Sequence, residues 1–177
     1  MKRFLVLLGA VAMFIACDYA SDSVDLYPDI EITFIDPIAE YVTKAETLGG
    51  TTELIEVHFV PENSVDCYLT KCIWEYYDAG GGLIYGPDEI ALYLKIEGRV
   101  GTGEDECCDT FEVHNLTFPT EPIADHLEYG ESAEARLHFV FVDEYWGSRY
   151  DTATVWYGFY LWPDTTDAPE KFELIQH

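Results

Sequence analysis

Cysteine is the residue type that offers this 177-residue chain the most chemistry. One of the five cysteines, Cys17, directly follows an apolar N-terminal run, and the other four lie far beyond it. An even set in an exported protein predicts disulfides, with the connectivity left open by the sequence. A zinc site is the alternative, but a C-x4-C spacing followed by an adjacent pair differs from paired C-x2-C motifs. The four distal cysteines are Cys67, Cys72, Cys107 and Cys108.

Carboxylates are densest in a glycine-containing loop that precedes one predicted strand. Calcium takes roughly six to eight hard oxygen ligands, and a flexible acidic loop can supply them. The spacing does not fit an EF-hand, and the alternative is an acidic loop that is merely solvated. Calcium is the one cofactor that the sequence suggests. Its candidate ligands are Glu104, Asp105, Glu106 and Asp109.

Aromatic side chains alternate along the last predicted strand. Trp156, Tyr160 and Trp162 have one parity, opposite to that of its apolar residues, while Tyr145 and Trp146 lie in the preceding loop. A row of exposed rings can stack on sugars or bind a protein partner. The alternative is that the C-terminal tail or another segment covers this face. The five aromatic residues are therefore candidate ligand-binding residues.

Catalytic motifs are lacking in the sequence. The chain has no G-x-S-x-G, H-E-x-x-H or phosphate-binding glycine loop, and its histidines are far apart in sequence. Carboxylate neighbours such as Asp143 and Glu144 could perform acid–base chemistry, but 34 acidic residues make chance pairs unavoidable. The sequence therefore favours a non-catalytic protein over a hydrolase. The histidines are His58, His114, His126, His138 and His177.

Short runs with a period of two predict the strands that would position these residues. In the run 53–60, Ile55, Val57 and Phe59 are expected to point inward, and Glu56 and His58 outward. One short helical segment is predicted near 120–127, with Thr120 as its N-cap. The remaining predicted strands are 31–36, 67–77, 90–96, 107–113, 133–141 and 153–161. These strands predict an all-β protein, either a sandwich or, alternatively, a jelly roll or small barrel.

The N-terminal segment predicts export. Lys2 and Arg3 precede thirteen apolar residues, a run too short for a membrane-spanning helix, which needs about 20. The sequence Phe14-Ile15-Ala16-Cys17 resembles the lipobox of bacterial lipoproteins, which implies cleavage before Cys17 and attachment of lipid to its thiol. The alternative is an ordinary secretory signal cut near Ala16 or Ala20. The expected organisation is a cleaved signal peptide (1–16), a lipidated cysteine with an acidic tether (17–29), a β-sandwich domain (30–163) and an acidic tail (164–177).

The order of the strands resembles the immunoglobulin-like and fibronectin type III-like domains, with Trp74 on a third strand and a final hairpin. The resemblance implies an immunoglobulin-like antiparallel β-sandwich of about seven to eight strands. It also implies a Cys72–Cys107 disulfide packed beside Trp74, because the parity of both cysteines is that of core residues. Cys67 and Cys108, expected to face outward, would form the remaining pair.

The net charge of −25 argues against nucleic-acid binding. We expect a non-catalytic binding module at the cell envelope, periplasmic or on the cell surface, held to the membrane by lipid on Cys17. Its partners would be a glycan or a surface protein. The alternatives are a secreted module that binds carbohydrate and a subunit of a surface assembly that exchanges its C-terminal tail as a strand.

Overall fold

The computed structural model describes residues 27–43, 50–99, 109–145 and 149–162. Within these residues the chain forms eight strands and one short helix. The signal peptide, Cys17, the tether and the tail lie outside the described residues. The elements are β1 (Ile30–Asp36), β2 (Ala39–Val42), β3 (Thr51–Pro61), β4 (Cys67–Asp78), β5 (Leu83–Ile96), β6 (Phe111–Pro119), α1 (Glu121–His126), β7 (Ser132–Asp143) and β8 (Tyr150–Leu161).

The strands form two sheets. One has three strands in the order β1-β3-β6, and the other has five in the order β2-β8-β7-β4-β5. Neighbouring strands are antiparallel except β2, which pairs with β8 in parallel. The first two strands therefore belong to different sheets, and Pro37, which has no backbone N–H to donate, lies between them.

This topology is that of an immunoglobulin-like β-sandwich, as predicted. In that fold the strands called B and E share one sheet, while C, F and G share the other, extended by C′. By chain order β3 and β6 correspond to B and E, and β4, β7 and β8 to C, F and G. The strand β5, which forms a hairpin with β4, corresponds to C′.

The core lies between the two sheets and is largely aromatic. Phe59 from the three-stranded sheet contacts Phe139 and Phe141 edge-to-face, at centroid distances of 5.0 and 5.4 Å. Trp74, predicted to be a core residue, packs against Phe118 at 5.3 Å. Edge-to-face pairs of this kind add to the stabilisation that burial of their area provides. Aromatic rings from the two sheets therefore interleave and hold one sheet against the other.

The inward and outward alternation shifts by one residue in the middle of the three-stranded sheet. Leu54 is fully buried, whereas Ile55, expected in the core, is 50% exposed. From Glu56 onward the predicted alternation holds, with Val57 and Phe59 buried. The facing strand β6 shifts at the same level, at Asn115, whose φ of 58° is left-handed. The expectation for Ile55 was wrong because two consecutive residues point outward here.

Other elements differ from their predicted bounds. The sequence did not predict β2, a strand of four residues, and β5 begins seven residues before the predicted start. The helix α1 begins after Thr120, but the Thr120 side chain makes no capping hydrogen bond. In the described part of the chain, no helix has the length and apolarity to cross a bilayer.

Candidate functional site

The outer face of β8 carries the aromatic residues that the sequence singled out. Val155, Tyr157, Phe159 and Leu161 turn to the core, and Trp156, on the opposite parity, is 56% exposed. The strand β2 pairs with β8 only from Gly158 to Leu161, so Trp156 has a cross-strand partner on one side, from β7. The predicted orientation of this strand is therefore confirmed.

Hydrogen-bonding side chains surround Trp156 on the neighbouring strands. Its cross-strand partner on β7 is Arg136. The Arg136 guanidinium lies 3.9 Å above the ring centroid of Tyr77 on β4, and it donates to Glu134 Oε1 from Nε at 3.1 Å and from Nη2 at 3.0 Å. A planar guanidinium held between a ring and a carboxylate has a fixed orientation. The sheet therefore presents an indole beside an oriented arginine.

A second group of polar contacts continues across the same face. The Tyr77 hydroxyl donates to Glu75 Oε2 at 2.8 Å, which raises the pKa of Tyr77. His138 lies between Glu75 and Thr154, with Nε2 at 3.8 Å from Glu75 Oε2 and Nδ1 at 2.9 Å from Thr154 Oγ1. We call the set the tryptophan band. It consists of Trp156, Arg136, Glu134, Tyr77, Glu75, His138 and Thr154.

Tyr160 and Trp162 form a separate aromatic cluster further along β8. Their centroids are 5.7 Å apart, and both rings contact Tyr41 on β2 at 5.8 Å. The sequence missed Tyr41, because only the parallel pairing of β2 with β8 places it beside Tyr160. These rings are half-buried by one another. The tyrosine–tryptophan cluster therefore consists of Tyr41, Tyr160 and Trp162.

Gly158 separates the tryptophan band from the tyrosine–tryptophan cluster. It lies on the outer parity of β8, and a Cβ atom added to it would come within 3.1 Å of Ala39 Cβ. The adjacent residue of β2 therefore takes the space that a side chain at Gly158 would need.

The loop aromatic residues do not join this surface. Tyr145 is 77% exposed in the turn after β7, six residues along β8 from Trp156, which is about 20 Å along the strand. Trp146 lies outside the described residues. Asp143 is buried and accepts backbone N–H groups of Tyr145 and Arg149, both at 3.0 Å. Asp143 therefore holds the turn, while neighbouring Glu144 pairs with Lys95 at 3.3 Å.

The predicted disulfides are not borne out at the described cysteines. Cys67 and Cys72 are free thiols, and their proposed partners Cys107 and Cys108 lie outside the described residues. Cys67 was expected to face outward, but a bulge between Leu69 and Lys71 turns it to the core together with Cys72. Burial raises the pKa of each thiol from 9.0 to about 12. Both thiols are therefore packing groups in this structure.

The predicted calcium loop falls mostly beyond the described residues. Glu104, Asp105 and Glu106 lie outside them, and Asp109 is exposed. A different group of possible metal ligands appears on the three-stranded sheet, where His58 and His114 come together with two glutamates. The distance of these histidines in sequence had suggested that they were isolated, but β3 and β6 pair directly.

No family model matches this chain, and no curated protein matches it. Among solved structures, it is similar to structural-genomics target SoR45, with 10% identity over 85% of this chain and 90% of that chain and a TM-score of 0.37. It is also similar to the periplasmic chaperone SfaE, with 7% identity over 80% of this chain and 64% of that chain and a TM-score of 0.33. These scores carry no functional argument, and the fold assignment rests on strand order and pairing.

Proposed function

We propose that this protein is a non-catalytic binding module of the bacterial cell envelope, anchored by lipid on Cys17, that binds a neutral glycan on its five-stranded sheet. The observation that carries the proposal is the 56% exposure of Trp156 on the outer face of the five-stranded sheet, beside a set of hydrogen-bonding side chains. Leaving an indole in water costs free energy that burial against a ligand would recover.

The chemistry of the tryptophan band suits a sugar. A pyranose ring has an apolar C–H face that can stack on an indole, and hydroxyls at its rim that both donate and accept. Arg136 offers donors, while Glu134 and Glu75 offer acceptors, and His138 with Thr154 can do either. A purely apolar partner would leave these groups without water or compensating hydrogen bonds.

Charge favours a neutral ligand over an acidic one. The chain has 34 acidic and nine basic residues. Such a field repels uronic acids, phosphates and nucleic acids at long range. Arg136 does not offset this repulsion, because Glu134 already neutralises it locally. The proposal therefore commits to uncharged hexose-containing glycans.

The lipid anchor rests on the leader sequence alone. A diacylglycerol on Cys17 would bury many CH₂ groups at about 0.8 kcal/mol each, and two chains hold a protein stably at a membrane where one does not. The acidic tether would then separate the sandwich from the bilayer surface. In this arrangement the five-stranded sheet would meet glycans close to the membrane.

A glycan array tests the binding surface. The natural protein should bind a subset of neutral glycans, and Trp156→Ala should lose at least about fivefold in affinity, because stacking on one aromatic ring contributes roughly 1 kcal/mol or more. Ile55→Ala is the matched control, since it removes a comparably exposed apolar side chain, 50% exposed, from the other sheet. Binding that survives Trp156→Ala, or a folded protein that binds no neutral glycan, would contradict the proposal.

A further inference from the structure

The same tripeptide, Glu-Val-His, occurs in two strands of the three-stranded sheet. Residues 56–58 lie in β3 and residues 112–114 lie in β6. The two strands are antiparallel, and their register pairs Glu56 with His114, Val57 with Val113 and His58 with Glu112. The repeat therefore folds onto itself with approximate twofold symmetry, and each glutamate faces a histidine.

Strand alternation places the four polar side chains on one face. Val57 is fully buried and Val113 packs against the core, so Glu56, His58, Glu112 and His114 project to the outside. Their side chains are 24–49% exposed. An ion could reach these groups from solvent without any rearrangement of the core.

The distances between the donor atoms suit a small metal ion. Ligand atoms of Glu56, Glu112 and His114 all lie within 4.8 Å of one another. His114 Nε2 is 3.2 Å from Glu112 Oε2, and His58 Nε2 is 2.7 Å from Glu56 Oε1 and 3.8 Å from Glu112 Oε1. Zinc bonds of about 2.0–2.2 Å at tetrahedral angles place ligand atoms roughly 3.4 Å apart. Glu56, Glu112 and His114 already lie near that spacing, and the His58 ring, which contacts both glutamates, would have to turn toward His114 to become the fourth ligand.

Charge at this group also favours a divalent cation. Two carboxylates lie side by side, and in the described part of the chain neither has a lysine or arginine within 4.0 Å. Their nearest partners there are the rings of His58 and His114, and a neutral imidazole is a common metal ligand. A divalent ion would balance both carboxylates. Calcium prefers oxygen ligands only, so two imidazoles select a transition ion such as zinc.

An aromatic ring supports one of the ligands. Phe34 on β1 is the cross-strand partner of His58, and the two rings pack with centroids 4.7 Å apart. This contact limits the rotamers open to His58, so its ring needs less ordering when an ion binds. The site is therefore partly preorganised on rigid strands.

We propose that Glu56, His58, Glu112 and His114 form a zinc-binding site on the outer face of the three-stranded sheet, opposite the glycan-binding face. The ion would join β3 to β6 through side chains, in addition to their backbone hydrogen bonds. Because the site lies on the other sheet, it is independent of the proposed glycan binding.

Calorimetric titration with ZnCl₂ alone tests the site. The full-length, chelator-treated protein is first alkylated under native conditions so that accessible thiols do not bind zinc. We expect one zinc ion per chain that added calcium does not displace, and at least about tenfold weaker zinc binding in His58→Ala and His114→Ala. His126→Ala is the matched control, because His126 is similarly exposed on α1 and distant in sequence from both tripeptides. It should bind zinc normally.

Thermal unfolding provides a second readout that does not depend on calorimetric heat. Zinc should raise the midpoint temperature of unfolding of the natural protein and of His126→Ala. It should not raise the midpoint temperature of His114→Ala. The absence of zinc binding by the folded natural protein would overturn the proposal. Equal zinc affinity in the natural protein, His58→Ala and His114→Ala would overturn it as well, because the ion would then bind elsewhere.

Discussion

Cys67 and Cys72 are residues whose chemistry is set by burial. Both side chains are fully buried on β4, and burial is the largest cause of the rise in each pKa, with Asp151 and Asp66 raising that of Cys67 further. Five residues along one strand separate them by roughly 16 Å, beyond the reach of about 7 Å for a disulfide between them. Each thiol therefore remains protonated and acts as a small apolar group.

Alkaline pH should destabilise the protein through these thiols. The unfolded chain loses the two protons near pH 9, and the folded chain keeps them to about pH 12. The unfolded state then binds fewer protons, so the free energy of unfolding should fall as pH rises from about 9 toward 12. Urea unfolding at closely spaced pH values measures this slope.

The double variant Cys67→Ala/Cys72→Ala is the comparison for this slope. Between pH 9 and 10, before the buried tyrosines contribute strongly, the variant should lose less stability per pH unit than the natural protein. Its absolute stability will be lower because of the lost packing, and only the slope is compared. Parallel slopes would show that the two thiols titrate normally in the folded protein.

The strand β3 contains a one-residue shift in the alternation of buried and exposed side chains. The period-two pattern identified the strand and correctly placed Val57 and Phe59 in the core. Because Ile55 and Glu56 both point outward, Leu54 is the core residue at this level and Ile55 is not. The facing distortion at Asn115 keeps β3 and β6 in register. Asparagine tolerates left-handed backbone better than most residues, which makes this position permissive.

Alanine substitutions on either side of the shift should have unequal effects. Leu54→Ala is expected to cost about 2–5 kcal/mol of unfolding free energy, because Leu54 is fully buried. Ile55→Ala should cost less than about 1 kcal/mol, because Ile55 is half-exposed. Chemical denaturation of both variants measures the difference. Similar losses, or a larger loss for Ile55→Ala, would contradict the observed alternation.

These elements show what the sequence could predict. Long alternating runs gave β7, β8 and the sandwich, because the alternation of buried and exposed residues follows directly from strand geometry. A four-residue strand such as β2 carries too little pattern, and Tyr41, which belongs to it, was missed with it. Bulges invert parity without any local signature, which is why Cys67 was placed on the wrong face.

The candidate sites could be predicted to different degrees, depending on how far each one relies on the pairing of strands. Trp156 was found because its orientation depends only on its own strand. The polar residues around it come from β4 and β7, and their contacts depend on register. The repeated Glu-Val-His tripeptide was a usable signal, but only the antiparallel pairing of β3 with β6 gives it meaning.

At the scale of the whole molecule, the two proposed binding sites lie on different sheets, and the proposed anchor precedes both in sequence. The five-stranded sheet presents the tryptophan band, and the three-stranded sheet presents the histidine–glutamate group. The described residues bury a continuous aromatic core, so we expect the sandwich to fold without the proposed anchor. We therefore expect localisation and folding to be separable properties.

Intact mass and detergent partitioning test the anchor. Expressed in a bacterial host, the natural protein should begin at Cys17, carry additional acyl mass and partition into detergent. Cys17→Ala should lose the acyl mass and remain in the aqueous phase, while its thermal midpoint stays within about 2 °C of the natural protein, because Cys17 precedes the first described strand, β1, by thirteen residues in sequence. An unmodified aqueous chain in both cases would identify a secreted protein.

The central claim is that the outer face of the five-stranded sheet binds a glycan through Trp156. Its most direct test is an NMR titration with the strongest neutral glycan from the array, following the four tryptophan indole N–H resonances. We expect a saturable shift of the Trp156 resonance and none for Trp74, which is buried in the core. Saturable binding that leaves the Trp156 resonance unmoved would contradict it.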